Sequence, residues 1–371
     1  NGTVCWAGPA GELPAEFRKE TVLDCERRLV VPGLVDCHTH LCFGGWRGDE
    51  FDLRLRGASY QEIAAAGGGI ASTVAATRGA STGQLVRKAR SALDGMLALG
   101  VTTVECKTGY GLDEANELKQ LEVYRQLNGE HAVDLVPTYL GAHIVPPEFR
   151  NDRDRYISLI CDVMIPLVAQ RKLAVFCDAF IEEGAYTVDE ARRIFAVAAE
   201  HGLGIKVHAD QLSDGGGALL AAEVNAVSAE HLEHISEAGI KALAGSGTVA
   251  VSLPIASLYL SEPYLPARDL MEAGVPVAVA TDFNPGSAPS YHLPFALTLA
   301  CLNQKMTPQE VLNGATTIAA RAVGKQESIG SLIPGHQADF AIIDAPSLNH
   351  WLYHFVPNAC ASVVKRGEFA H

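Results

Sequence analysis

What the 371-residue sequence lacks excludes several function classes at the outset. No uninterrupted apolar run approaches ~18 residues, the length a helix needs to cross a bilayer, so nothing reads as membrane-spanning. Basic residues are in the minority: 29 Lys and Arg stand against 43 Asp and Glu, a formal net charge of −14. No local Lys/Arg cluster offsets that balance. A polyanion binder carries the opposite sign, so nucleic acid is not an expected partner. A small anionic ligand remains open, provided a pocket supplies a cation.

The nine cysteines include no CxxC pair. They read as small buried apolar residues of a reducing compartment, and the expected location is cytoplasmic. No phosphate loop and no strand–GxSxG–helix elbow supports phosphoryl transfer or covalent hydrolysis. The nearest dinucleotide pattern, Gly245-x-Gly247-x-x-Ala250, precedes its strand instead of following it. The chain opens on Asn1 inside an apparent strand and reads as trimmed.

What is present is a regular alternation. Short β-branched runs at 29–36, 100–107, 133–143, 173–181, 204–210, 225–231, 248–254 and 276–282 are separated mostly by helical segments such as 113–128 and 188–201. Strands this continuously apolar are buried on both faces, as in parallel sheets. Eight of them with intervening helices predict an α/β fold, a (β/α)8 TIM barrel over residues 31–329. A doubly wound open sheet is the main alternative. Residues 1–30 and 330–371 carry short strand-like pieces (TVCWAG, TVLDCE, ADFAIID, ASVVKRG) and are expected to form one small β-sandwich-like domain from both termini.

Active sites of such barrels lie at the C-terminal ends of the strands. His38, His40, Lys107, His143, His208, His231 and Asp282 all stand at those ends. Five of the thirteen histidines therefore converge on one rim. Strand side chains alternate, so His38-Thr39-His40 places two imidazoles on one side of a single metal. A closed zinc knot with Cys37 and Cys42 is set aside, because Cys37 and His38 are adjacent and face opposite ways. His208 in KVHADQ and Asp282 in VATDFNPGS are the best further ligands. Three imidazoles with one carboxylate suit one zinc or iron ion better than magnesium. The fourth strand ends in Phe180-Ile181-Glu182-Glu183 and offers no lysine to bridge a second metal.

The blocks PGLVDCHTHL, SAEHLEHI, VAVATDFNPGS and MTPQEVLNGATTIAARAVG followed by GSLIPGHQADFAIID resemble the amidohydrolase superfamily over about residues 30–366. More narrowly, residues 43–81, ECKTGYGLDEANELK, TYLGAHIVPPEF and HADQLSDGGGALLAAE resemble its branch that opens the imidazolone ring in histidine degradation. The resemblance implies metal ligation by His38, His40, His208 and Asp282, with Asp282 also handling a proton. It implies a catalytic His231 beside the reacting carbonyl and not on the metal. The implied substrate is 4-imidazolone-5-propanoate, a small ring with a carboxylate tail, opened to N-formimidoyl-glutamate.

Arg47 would hold that tail, with Tyr60 and Ser287 sharing it. Tyr110 and His143 would line the ring, and Asn284 and Gly286 would present polar atoms to the product. Gln211 stands where relatives carry Glu. An amide only hydrogen-bonds, so this position would orient the ring and not act as a base. The triple glycine 67–69 is expected to end a helix. A homodimer is the expected assembly. The alternatives are another amidohydrolase, such as a nucleobase aminohydrolase, or a non-catalytic scaffold of the same fold.

Overall fold

The protein is described by a computed structural model covering residues 2–58, 62 and 67–371. Eight parallel strands form one sheet in sequence order: β2 (Leu34–Asp36), β3 (Val101–Lys107), β4 (Asp134–Ala142), β5 (Phe176–Ile181), β6 (Gly204–Ala209), β7 (Ser228–His231), β8 (Val249–Ser252) and β9 (Val277–Val279). β3, β7, β8 and β9 are buried at every residue, as their unbroken apolar runs require. Helices cover the outside, several started by side-chain caps. Thr187 and Glu190 form a capping box on Val188–Glu200, and Asp113 accepts from Asn116 N at the start of Glu114–Glu130.

The sheet closes just beyond β2 and β9. Asp282 N donates to His38 O at 3.0 Å, and His40 N to Phe283 O at 2.9 Å. Beneath them the Asp36 carboxylate accepts from Thr281 N at 3.1 Å and from its hydroxyl at 2.6 Å. The seam of the barrel is therefore sewn by the backbone of the candidate metal ligands, which fixes His38 and His40 against Asp282.

A second, four-stranded antiparallel sheet runs β1 (Leu29–Pro32), β10 (Phe340–Ile343), β11 (Cys360–Lys365) and β12 (Glu368–Phe369). The run 29–36, expected as one strand, serves both sheets. Gly33 N bonds Asp339 O in the small sheet, and Leu34 N bonds Gly100 O in the barrel. A Cβ at Gly33 would lie 2.3 Å from Thr102 Oγ1, so the crossing point admits only glycine. Of the terminal pieces, residues 21–26 form no strand. Asp24 captures Glu26 N at 2.8 Å, and Glu26 and Arg27 take left-handed backbone, so a turn replaces the ladder. Thr3 makes only an isolated bridge to Gln337. Gly69 (φ 73°) is the N-cap of Ile70–Gly79, while the helix end expected before the triple glycine falls at residues 63–66, outside the described residues. No helix among the described residues is long and apolar enough to cross a membrane.

Candidate active site at the barrel mouth

The strand ends bring the expected donors together. Asp282 Oδ1 lies 3.3 Å from His38 Nε2 and 3.5 Å from His40 Nε2, and His40 Nε2 lies 3.4 Å from His208 Nε2. Two overlapping triads, His38–His40–Asp282 and His38–His208–His231, keep their ligand atoms within 4.8 Å of one another. His231 thus comes within 4.8 Å of His38 and His208 by its ligand atom. His143 stacks on His40 at 5.2 Å and completes the group of five rim histidines.

Both nitrogens of His38, Nδ1 of His40 and Oδ1 of Asp282 are buried without a hydrogen-bond partner. Such orphaned groups are costly unless something satisfies them, and a cation does. Burial, then the Lys107 charge, holds His38 well below the usual imidazole range; burial, then His143, does the same to His40. Neutral imidazoles are the form that ligates. Burial pushes the Asp282 carboxyl up to about 6, a cost a seated cation would offset. The donor set therefore fits zinc or iron. Left-handed backbone gathers on the same rim, at Asp210, His231, Leu232 and Asp282 (φ 50°, 75°, 66° and 56°). Strain of this kind persists where the surrounding structure over-determines it.

Beneath the rim lies a layer of buried charge. Asp178 Oδ2 is 2.9 Å from His208 Nδ1 and 2.8 Å from Lys107 Nζ, and Lys107 also pairs with Glu105 at 2.8 Å. Asp178 Oδ1 accepts from His208 N at 3.2 Å, so one carboxylate sets both the ring and the backbone of His208. Burial alone would raise the Asp178 carboxyl, but His208 and Lys107 hold it far below the usual carboxylate range. The Lys107 ammonium is likewise kept charged against burial by Asp178 and Glu105. On the other side of the site, Glu233 Oε2 is 3.6 Å from His231 Nδ1. Burial disfavours the His231 proton, but the Glu233 carboxylate outweighs it and raises that imidazole. The sequence reading singled out Lys107 and passed over Asp178, Glu105 and Glu233. For Asp178 a signal existed: a lone acid inside the apolar run LAVFCDAFI.

Above the cluster opens a cavity of 660 Å³. His40, His208, His231 and Asp282 line it, together with Arg47, Tyr110, His143, Gln211, Asn284, Gly286 and Ser287. Tyr60 lies outside the described residues. Arg47 turns one edge to Glu50, with Nε at 2.9 Å and Nη2 at 2.7 Å from Glu50 Oε2. The other edge faces Gly286, where a Cβ would sit 2.2 Å from Nη1. Glu50, a further residue the sequence reading missed, accepts from Gly69 N and Ser72 Oγ at 3.0 Å with its second oxygen.

Asn284 spends its polar atoms on its own turn. Its Oδ1 accepts from Gly286 N and Ser287 N, while Nδ2 donates to Asp282 O and Ser287 Oγ. Glu182 accepts from Leu212 N at 2.9 Å and from the Ser213 hydroxyl, setting the loop that carries Gln211. Burial, then the neighbouring His208 imidazole, lowers His143 to about 3, and its Nδ1 lies 3.0 Å from Gly109 O. A proton on Nδ1 there leaves Nε2 as the free acceptor of a neutral ring.

Comparison with known proteins gives this geometry its context. Residues 29–370 match the family model described as the amidohydrolase family. An imidazolonepropionase of Geobacillus thermodenitrificans is 48% identical over 371 residues, covering 99% of this chain and 88% of the relative. One from Symbiobacterium thermophilum is 49% identical over 373 residues, with the same coverages. Among solved structures, a 5-methylcytosine deaminase from Klebsiella pneumoniae superposes with a TM-score of 0.75 at 17% identity, covering 95% of this chain and 90% of that one. A zinc-bound adenosine deaminase from Xanthomonas campestris gives 0.65 at 20% identity, covering 92% and 80%. Those two likenesses establish the fold. The alignments with the nearer relatives are long enough to place the sequence more finely: this chain belongs to the amidohydrolase family, in its imidazolonepropionase branch.

Proposed function

We propose that this chain hydrolyses the cyclic amide of 4-imidazolone-5-propanoate to N-formimidoyl-L-glutamate, a ring-opening step of histidine degradation. The observation that carries this reading is that Arg47 lines the same cavity as the histidine–aspartate cluster. A small ring with an anionic tail needs a cation at a fixed distance from the reacting carbonyl, and Arg47 supplies one in a chain of net charge −14. A neutral nucleobase has no such tail, which disfavours the aminohydrolase alternative.

His38, His40, His208 and Asp282 would hold one zinc or iron ion. When bound, that ion supplies Lewis-acid polarisation and makes water acidic enough to react near neutral pH. Asp282 would take the proton of the attacking water and return it to the leaving ring nitrogen. His231, its ring backed by Glu233, would donate to the carbonyl oxygen as charge develops there. Tyr110 and His143 would flank the ring, and Gln211 would orient it by hydrogen bonding. Arg47 and Ser287 would hold the carboxylate, with Tyr60 assigned to the same role. Gly286 leaves the room Arg47 needs, and Asn284 keeps that turn in shape.

Incubating the purified metal-loaded protein with imidazolone propanoate and following the substrate's ultraviolet band tests the assignment. Disappearance of the band with formimidoyl-glutamate as product is expected. An unchanged band, with turnover of a nucleobase instead, would overturn it. Arg47→Ala should raise KM about 100-fold, the loss of a charge-assisted pair, with metal content per chain unchanged. Metal loss in that variant would contradict the role given to Arg47. Finally, the nine cysteines are all free, which supports a cytoplasmic setting. A homodimer is proposed as the assembly, to be checked by sedimentation.

A further inference from the structure

The helix that follows Arg47, Gly48–Leu55, buries none of its residues and holds the arginine only through the Glu50 carboxylate. The backbone that leads into Arg47 is set upstream, by residues 42–46. There Cys42 N donates to Tyr124 Oη at 3.1 Å, Gln120 Nε2 donates to Cys42 O at 2.7 Å, and Gly44 N donates to Thr77 Oγ1 at 2.8 Å. Gly44 approaches the helix Ile70–Gly79 so closely that a Cβ would lie 2.3 Å from Ala76 O.

Beyond Gly44 one side chain takes over. Lys88, on the helix Thr82–Ala98, donates from Nζ to Gly45 O. The same ammonium lies 3.7 Å from the centre of the Phe43 ring and 4.3 Å from that of Trp46. Those rings meet edge to face at 5.0 Å, and both lean on Phe283, at 5.5 and 6.1 Å, beside Asp282. Trp46 is 58% exposed, so burial does not lock it. Among the described residues the contacts of the Lys88 ammonium are a carbonyl and two rings, with no carboxylate among them, although the chain carries 43 Asp and Glu. Burial lowers the Lys88 ammonium to about 8, which marks it as partly desolvated, the condition in which cation–π attraction strengthens.

We propose that Lys88 is a positioning residue for the substrate-binding loop: it clamps residues 43–46 through Phe43, Gly45 and Trp46, and so sets the separation between Arg47 and the histidine–aspartate cluster. The inference rests on the functional reading above, which gives Arg47 the substrate carboxylate. Lys88 itself reaches neither substrate nor metal ligands, so its removal acts on binding through Arg47.

The test uses the metal-loaded full chain. Lys88→Met, close in length and without charge, should raise KM for imidazolone propanoate about tenfold with kcat within about twofold. Metal content should stay unchanged. Lys88→Arg keeps a cation over the rings and should hold KM within about threefold of the wild type. The emission of Trp46 should shift in Lys88→Met, and that shift should vanish in a Trp46→Phe background. An unchanged KM overturns the proposal. So does a parallel loss of kcat, metal and KM, which would mark Lys88 as merely structural.

Trp46→Leu is a variant that spares the core and should raise KM about threefold. It decides the matter if Lys88→Met does not fold, and no change in its KM overturns the clamp. Failure of the wild-type chain to consume the substrate would instead count against the functional reading.

Discussion

Asp282→Asn is expected to lower kcat by about 10³-fold, the scale of losing a positioned acid–base group. The substitution keeps the shape of the side chain and leaves the barrel seam intact. The bond from residue 282 N to His38 O and the bond from Asn284 Nδ2 to residue 282 O are both made by backbone atoms of residue 282. What is lost is the carboxylate that sits 3.3 and 3.5 Å from His38 and His40 and faces the cavity. An amide oxygen can still ligate but cannot take up a proton. Rate and metal content must therefore be measured on the same sample. A kcat within tenfold of wild type, at unchanged metal, would show that another group moves the proton.

Lys107→Met should be the most destabilising single change in the barrel interior, by about 3–5 kcal/mol. Lys107, Glu105 and Asp178 are all fully buried, and the lysine is the shared partner of both acids. Methionine fills much the same volume but leaves two carboxylates without their cation in a region water does not reach. Asp178, which orients His208, would also lose one of the two groups that hold it ionised, so metal retention should fall alongside stability. Denaturant unfolding of the metal-loaded protein, compared with wild type, measures the first effect. A difference under about 1 kcal/mol would mean that the network carries little.

These two predictions separate what could be read residue by residue from what could not. Asp282, His38, His40 and His208 were legible because each closes an apolar run, and the end of a barrel strand is a defined place in space. The charge layer under them was only half legible. Lys107 ends its strand, but Asp178 and Glu105 lie within strands, and nothing local says which lysine compensates which acid. Glu50 was hidden for a similar reason. An acid three residues after an arginine usually lies in solvent, and here it fixes the arginine's outward edge while tying it to Gly69 and Ser72. The run 29–36 read as one strand because alternation cannot reveal that Gly33 passes from one sheet to the other.

The sequence by itself determined the eight-strand alternation, the strand-end positions of the candidate ligands and the branch of the amidohydrolase family, since periodicity, strand-end position and long motifs are local properties of the chain. Only the tertiary structure decided that Arg47 shares a cavity with His40, His208 and Asp282, that Asp178 and Glu233 stand behind His208 and His231, and that Lys88 touches the loop in between. Those facts depend on which surfaces meet when the barrel closes. Distances of a few ångströms between residues far apart in sequence are set by packing, which spacing along the chain does not encode.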